Sequence, residues 1–136
     1  MRYLGVDYGA KRIGLAISDH SESFAMPFRV ISNFVFVEDV INEVIDICKK
    51  ENIDEIVVGE SKNFSQEENK IMEDIKLFVK KLGDGIKIPI HMHPEFLTSI
   101  EAERLQGKND MNDASAAAII LKSYLDMSKS IKNRQN

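Results

Sequence analysis

Tyr3-Leu4-Gly5-Val6-Asp7-Tyr8-Gly9-Ala10-Lys11-Arg12-Ile13-Gly14-Leu15-Ala16-Ile17-Ser18-Asp19 predicts a β-hairpin near the start of the chain. Tyr3, Leu4 and Val6 make an apolar strand that ends on a carboxylate, Asp7. Gly9 marks a tight turn, and Ile13 to Ile17 return as a second strand. Such a hairpin sets Asp7 at a strand end facing open space. Nothing in the hairpin itself requires a carboxylate there, so Asp7 is the first candidate for chemistry.

Ala25 to Ile31 reads as a third strand, with Pro27 assigning it to a sheet edge. Val37, Val40, Ile41, Val44, Ile45, Ile47 and Cys48 fall on one stripe and predict a helix over Val37–Lys50. Glu55-Ile56-Val57-Val58-Gly59 has the β-branched run of a buried parallel strand. A second amphipathic helix is predicted from Glu67 to Leu82, stopped by Gly83 and Gly85. Lys87 to His93 reads as a fifth strand. Thr98 to Gln106 reads as a short helix with Thr98 and Glu101 forming a capping box. A last helix spans Asp113 to Met127, its Ala114, Ala116, Ala117 and Ala118 suited to lying close against a sheet.

An antiparallel meander followed by helix–strand crossovers predicts an α/β fold: a mixed five-stranded sheet, antiparallel in its first three strands, flanked by helices. That is the arrangement of a ribonuclease H-like fold. A hairpin of this kind serves two types of phosphate chemistry, metal-dependent nucleases of the ribonuclease H type and ATPases of the sugar-kinase and actin type. The second type encloses its nucleotide between two such domains, for which 136 residues are too few. Residues 1–127 are expected to form one domain and residues 128–136, with Lys129, Lys132 and Arg134, a flexible basic tail.

Composition narrows the partners. The formal net charge of −4 argues against a passive nucleic-acid binder, which draws on a basic surface. It is compatible with a nuclease whose acids hold divalent cations that bridge to phosphate. Lys11, Arg12, Lys62, Arg104 and Lys108 are candidate local sources of positive charge. No apolar run approaches the ~20 residues of a membrane span and no signal-peptide pattern is present, so a cytoplasmic protein without a membrane partner is expected. Cys48, the single cysteine, sits in an apolar pattern and reads as a core residue.

Ligands of α/β sheets collect beyond the carboxyl ends of the strands. Asp7, Glu60 and Glu95 each follow or end a strand, and Asp110 and Asp113 open the last helix. Carboxylates converging on one point repel unless cations neutralise them, and hard oxygen donors suit Mg²⁺ or Mn²⁺. Four of these acids also have a plainer reading: Asp7 as a turn residue, Glu60 as a solvated loop residue, Asp110 or Asp113 as a helix N-cap. His91 and His93 share one strand face but lack further ligands at zinc spacing, and read as a polar sheet face.

At this point a resemblance becomes specific. Gly5-Val6-Asp7 through Ser18-Asp19, Ile56-Val57-Val58-Gly59, Leu97-Thr98-Ser99 through Arg104, and Asp113-Ala114-Ser115-Ala116 through Asp126 resemble, in order, blocks of the YqgF family, known as Holliday junction resolvase-like proteins or pre-16S rRNA nucleases. The resemblance implies a ribonuclease H-like fold and a role in maturing the 5′ end of small-subunit rRNA precursor. It carries the strand-one aspartate onto Asp7 and the last-helix aspartate onto Asp113.

Two blocks depart from the family pattern. Gly59-Glu60-Ser61-Lys62 stands where most members have Gly-Leu-Pro, and Pro94-Glu95-Phe96 where most have Asp-Glu-Arg. Glu60 lies where resolvase relatives carry a second catalytic acid, so it is a candidate replacement for the missing aspartate. The sequence reading is therefore a divalent-metal-dependent RNA endonuclease, a hydrolase of phosphodiesters. Asp7, Glu60, Glu95 and Asp113 would be its catalytic and metal-holding acids for Mg²⁺ or Mn²⁺, with Lys11 and Arg12 on the substrate backbone. Precursor rRNA is the expected partner, with the small ribosomal subunit a further one. A nuclease of branched DNA and a catalytically silent RNA-binding or assembly factor are the alternatives.

Overall fold

The computed structural model describes residues 1–33, 36–60, 70–94 and 111–134. The strands are β1 (Tyr3–Tyr8), β2 (Arg12–Ser18), β3 (Ala25–Ser32), β4 (Glu55–Glu60) and β5 (Ile90–Pro94), and the helices α1 (Val37–Lys50), α2 (Lys70–Gly85) and α3 (Met111–Arg134). The strands form one sheet in the order β3-β2-β1-β4-β5. β1, β2 and β3 pair antiparallel, while β1–β4 and β4–β5 are parallel. This is the mixed sheet expected, with β3 on an edge where Pro27 belongs. Pro27 faces Ala16 beside a register shift at Leu15/Ala16, so its missing N–H falls where the ladder is already interrupted.

Alternation splits the core between the two faces. Leu4 and Val6 of β1, Ile13, Leu15 and Ile17 of β2, and Ile56 and Val58 of β4 pack with Val40, Val44, Ile47 and Cys48 of α1 and with Ile75, Phe78 and Leu82 of α2. Burial among these side chains pushes the Cys48 thiol up to about 11, which leaves it an inert core residue. On the other face, Tyr3, Ala16 and Val57 meet Ala117, Ile120, Leu121 and Leu125 of α3.

That second face is built for close approach. An added Cβ would lie 2.8 Å from Leu121 Cβ at Gly5, 2.6 Å from Ile120 Cδ1 at Gly59, and 1.9 Å from the Asp113 carbonyl oxygen at Gly14. Glycines on three adjacent strands thus form a floor for α3, whose Ala114 and Ala117 are fully buried.

Three element boundaries differ most from the sequence reading. β5 begins at Ile90 rather than Lys87 and ends at Pro94. α2 runs through Gly83 to Gly85, the latter tight against Ile45 of α1. α3 runs on to Arg134, so residues 128–134, read as a tail, are helical. An exposed helix end needs no apolar stripe, and Lys129 Nζ, donating to Ser23 Oγ at 2.9 Å, ties this end to the β2–β3 loop. The expected helix Thr98–Gln106 lies outside the described residues. Among the described residues no helix is long and apolar enough to cross a membrane.

Candidate active site at the carboxyl edge of the sheet

Because β1, β4 and β5 are parallel, their carboxyl ends share one edge of the sheet. Asp7 lies there, paired in register with Gly14 of β2. It follows Tyr3 and Gly5 in phase, on the face that α3 covers. Gly14 in turn carries the backbone of Asp113, since only a residue without Cβ allows that carbonyl so near. One glycine therefore brings together two acids that are remote in sequence.

Asp113 is the third residue of α3 rather than its N-cap, and sits in the first turn, where the helix dipole favours an anion. Its Oδ2 lies 2.9 Å from Arg12 Nε. The approach is off the angle of a hydrogen bond, and this solvent-shielded oxygen accepts no hydrogen bond among the described residues. A buried carboxylate oxygen without a donor is costly, and a hard cation would satisfy it. The two carboxylates thus fit a divalent ion in donor chemistry. Among the described residues no three His, Cys, Asp or Glu side chains gather as a metal-holding group. Glu95, the expected further acid, follows β5 and lies outside the described residues, as do Asp110, Lys62, Arg104 and Lys108.

Glu60 ends β4 opposite Pro94. It is in phase with Ile56 and Val58, which face α1 and α2, and so does not alternate onto the face of Asp7. Its charge is nevertheless felt by His93, where it opposes the larger effect of desolvation, which lowers the imidazole pKa. His93 Nε2 is hydrogen-bonded to Ser123 Oγ at 2.9 Å, and His91 Nε2 lies 3.1 Å from Glu55 Oε1. The His91 and Tyr124 rings stack at 5.2 Å. Burial and a hydrogen bond to Glu55 hold the Tyr3 hydroxyl well above the usual tyrosine range. Both histidines are thus engaged in packing α3 on the sheet, as the polar-face reading expects.

Lys11 and Arg12 are exposed on the hairpin, but Arg12 is spent first on Asp113. The hairpin is held by a residue the sequence reading missed. Asn33 Nδ2 donates to the Gly9 carbonyl at 2.9 Å, and its backbone N–H to the Lys11 carbonyl at 2.9 Å. Gly9 N–H donates to the Arg12 carbonyl across the turn. Asn33→Ala removes one hydrogen bond from this brace, so we expect a stability loss of about 1 kcal/mol. A urea melt checks this, with no change in m-value.

Two further residues of the opening motif are structural. Ser18 Oγ accepts the Tyr3 N–H at 2.8 Å. Asp19 accepts from Ser21 Oγ and from the Phe24 and Ser23 amides, which hold its carboxyl below the usual range, the Ser21 bond most of all. The loop gains from this at neutral pH and loses it as acid protonates Asp19.

The profile of the RuvX family, described as Holliday junction resolvase, matches residues 1–127. A protein of Caldanaerobacter subterraneus subsp. tengcongensis named "Putative pre-16S rRNA nuclease" is 39% identical over 138 residues, covering 95% of this chain and 99% of the relative. A protein of Maridesulfovibrio salexigens with the same name is 33% identical over 135 residues, covering 92% and 98%. Thermus thermophilus RuvC matches with a TM-score of 0.64 at 15% identity, over 96% of this chain and 97% of that one. Fowlpox virus resolvase, solved with its substrate Holliday junction DNA, matches at 0.56 and 13% identity, over 93% and 98%. At such identities these structures speak for the fold, which is ribonuclease H-like. With a family profile and near full-length relatives both matching, the chain belongs to the RuvX family, the YqgF family of the sequence reading.

Proposed function

We propose that this chain is a divalent-metal-dependent endonuclease that hydrolyses phosphodiesters of precursor 16S rRNA during ribosome biogenesis. The observation that carries the reading is the seating of Asp113 on Gly14, directly across the ladder from Asp7. Relatives named for pre-16S rRNA nuclease activity support the substrate class. The reaction belongs in the cytoplasm, where the small subunit is assembled, and the nuclease domain takes in residues 1–127 together with the end of α3, which runs on to Arg134.

Asp7 and Asp113 would hold Mg²⁺ or Mn²⁺, with Glu95 and Glu60 as the further acids. When bound, such ions supply activation of water and neutralisation of charge at phosphorus. The protein's part is to keep its carboxylates on rigid elements. Asp7 is fixed by the β1–β2 ladder and Asp113 by its contact with the sheet, so neither must reorganise when substrate arrives. Lys11 and Arg12 would steady the phosphate backbone from the hairpin.

The second reading, a nuclease of branched DNA, is favoured by the family's description as Holliday junction resolvase. The deciding experiment offers the protein two substrates with Mn²⁺ or Mg²⁺: a 5′-extended small-subunit rRNA fragment and a four-way DNA junction. Cleavage of the RNA, abolished by chelation, is the expected result. Cutting of the junction alone would establish the second reading. No cleavage of either, with RNA binding intact, would overturn both in favour of a silent assembly factor.

A further inference from the structure

We propose that Arg12 is an internal counter-ion that holds the Asp113 carboxylate until a divalent cation displaces it, whereupon the guanidinium turns to substrate phosphate. This rests on the metal reading above and adds to it a coupling between metal loading and nucleic-acid binding.

Three observations lead to it. Arg12 Nε and Asp113 Oδ2 are 2.9 Å apart, while that oxygen accepts no hydrogen bond among the described residues. The contact is therefore charge compensation without the bidentate fit of a built arginine–carboxylate pair. The backbones of both partners are pinned, Arg12 by its carbonyl at the hairpin turn and Asp113 by Gly14, so exchange requires only side-chain rotation. The Arg12 side chain is 53% exposed, so solvent borders the guanidinium on the side from which a phosphate ligand would approach the sheet edge.

A guanidinium and a divalent cation compete for the same oxygen, and they repel each other there. An ordinary structural ion pair predicts otherwise: Arg12 would support the geometry of Asp113, and its loss would weaken metal binding. The two readings differ in sign.

Mn²⁺ binding to the RNA-free protein, followed by electron paramagnetic resonance, separates them. Arg12→Gln should bind Mn²⁺ about three- to tenfold more tightly than wild type. Its melting temperature should fall without metal and rise further on adding Mn²⁺ than that of wild type. Arg12→Lys, which keeps the charge, should stay within about twofold of wild type. In the coupled assay, Mn²⁺ should raise wild-type affinity for a nuclease-resistant phosphorothioate RNA, and Arg12→Gln should lose most of that gain. Unchanged or weaker Mn²⁺ binding by Arg12→Gln overturns the counter-ion role and leaves the metal site standing. Failure of wild type to bind Mn²⁺ at all overturns the metal reading and this inference with it.

Discussion

Gly14→Ala should be the most damaging single methyl group in this protein. The added Cβ would lie 1.9 Å from the Asp113 carbonyl oxygen, 2.3 Å from its carbon and 2.9 Å from the Ala114 nitrogen. All three are backbone atoms of a helix, so no side chain can rotate away. Either β2 distorts or the first turn of α3 lifts, and lifting it loosens the layer in which Ala117, Leu121 and Leu125 meet Tyr3, Ala16 and Val57.

Overpacking ordinarily costs about 1–3 kcal/mol, and a rigid obstacle places this case at about 3 kcal/mol or above. In a domain of this size that is a fall in Tm of about 10 °C or more. Cleavage should be lost even below the new Tm, because Asp113 moves with the turn that carries it. The other two glycines supply a graded control. Gly5→Ala meets Leu121 Cβ at 2.8 Å and the Ala117 carbonyl at 2.9 Å, whereas Gly59→Ala meets only Ile120 atoms, the nearest the flexible Cδ1 at 2.6 Å. Thermal melts should rank the losses Gly14, Gly5, Gly59. A Gly14→Ala protein that melts with wild type would mean that α3 does not rest on β2 there.

The elements themselves were readable because burial imposes a period. Val40, Ile41, Val44, Ile47 and Cys48 mark α1 by spacing alone, and the β-branched run of β4 could be little else. The seat of α3 was half legible. Its alanines mark a helix that lies close to a sheet, but the matching signal lies in β2, where Gly14, Ala16 and Ser18 alternate as small residues opposite the large Ile13, Leu15 and Ile17. Read together, small face against small helix places Asp113 beside Asp7.

The pairing of Arg12 with Asp113 left no such trace. Both residues suit a solvated surface, and only the tertiary fold makes them neighbours. Asn33 was hidden for the same reason, its partner being a backbone carbonyl, which no side-chain pattern records. Glu60 shows the reverse. Counting alternation from Ile56 and Val58 gives its phase, but that is uninformative until the face covered by α3 is known.

Asp7→Asn should separate folding from chemistry. Asn has nearly the shape of Asp, and the backbone of residue 7 stays in the β1–β2 ladder opposite Gly14, so the melting curve should stay within about 1 kcal/mol of wild type. Charge is what changes. A neutral amide in place of a carboxylate weakens the pull on a hard cation at the position that the fold holds most rigidly. RNA cleavage with Mn²⁺ should therefore fall by at least about 10²–10³-fold, the scale on which one preorganised electrostatic group acts. Single-turnover kinetics on the 5′-extended fragment measures the fall. Mn²⁺ titration should show weaker binding in the same variant, which ties the lost rate to the lost charge. Glu60→Gln is the comparator: it sits in the phase of the opposite sheet face, so its loss should be smaller, about tenfold. If Glu60→Gln keeps full activity, its part as a replacement acid is excluded while the Asp7–Asp113 pair stands. Near wild-type cleavage by Asp7→Asn would move the chemistry away from the first hairpin altogether.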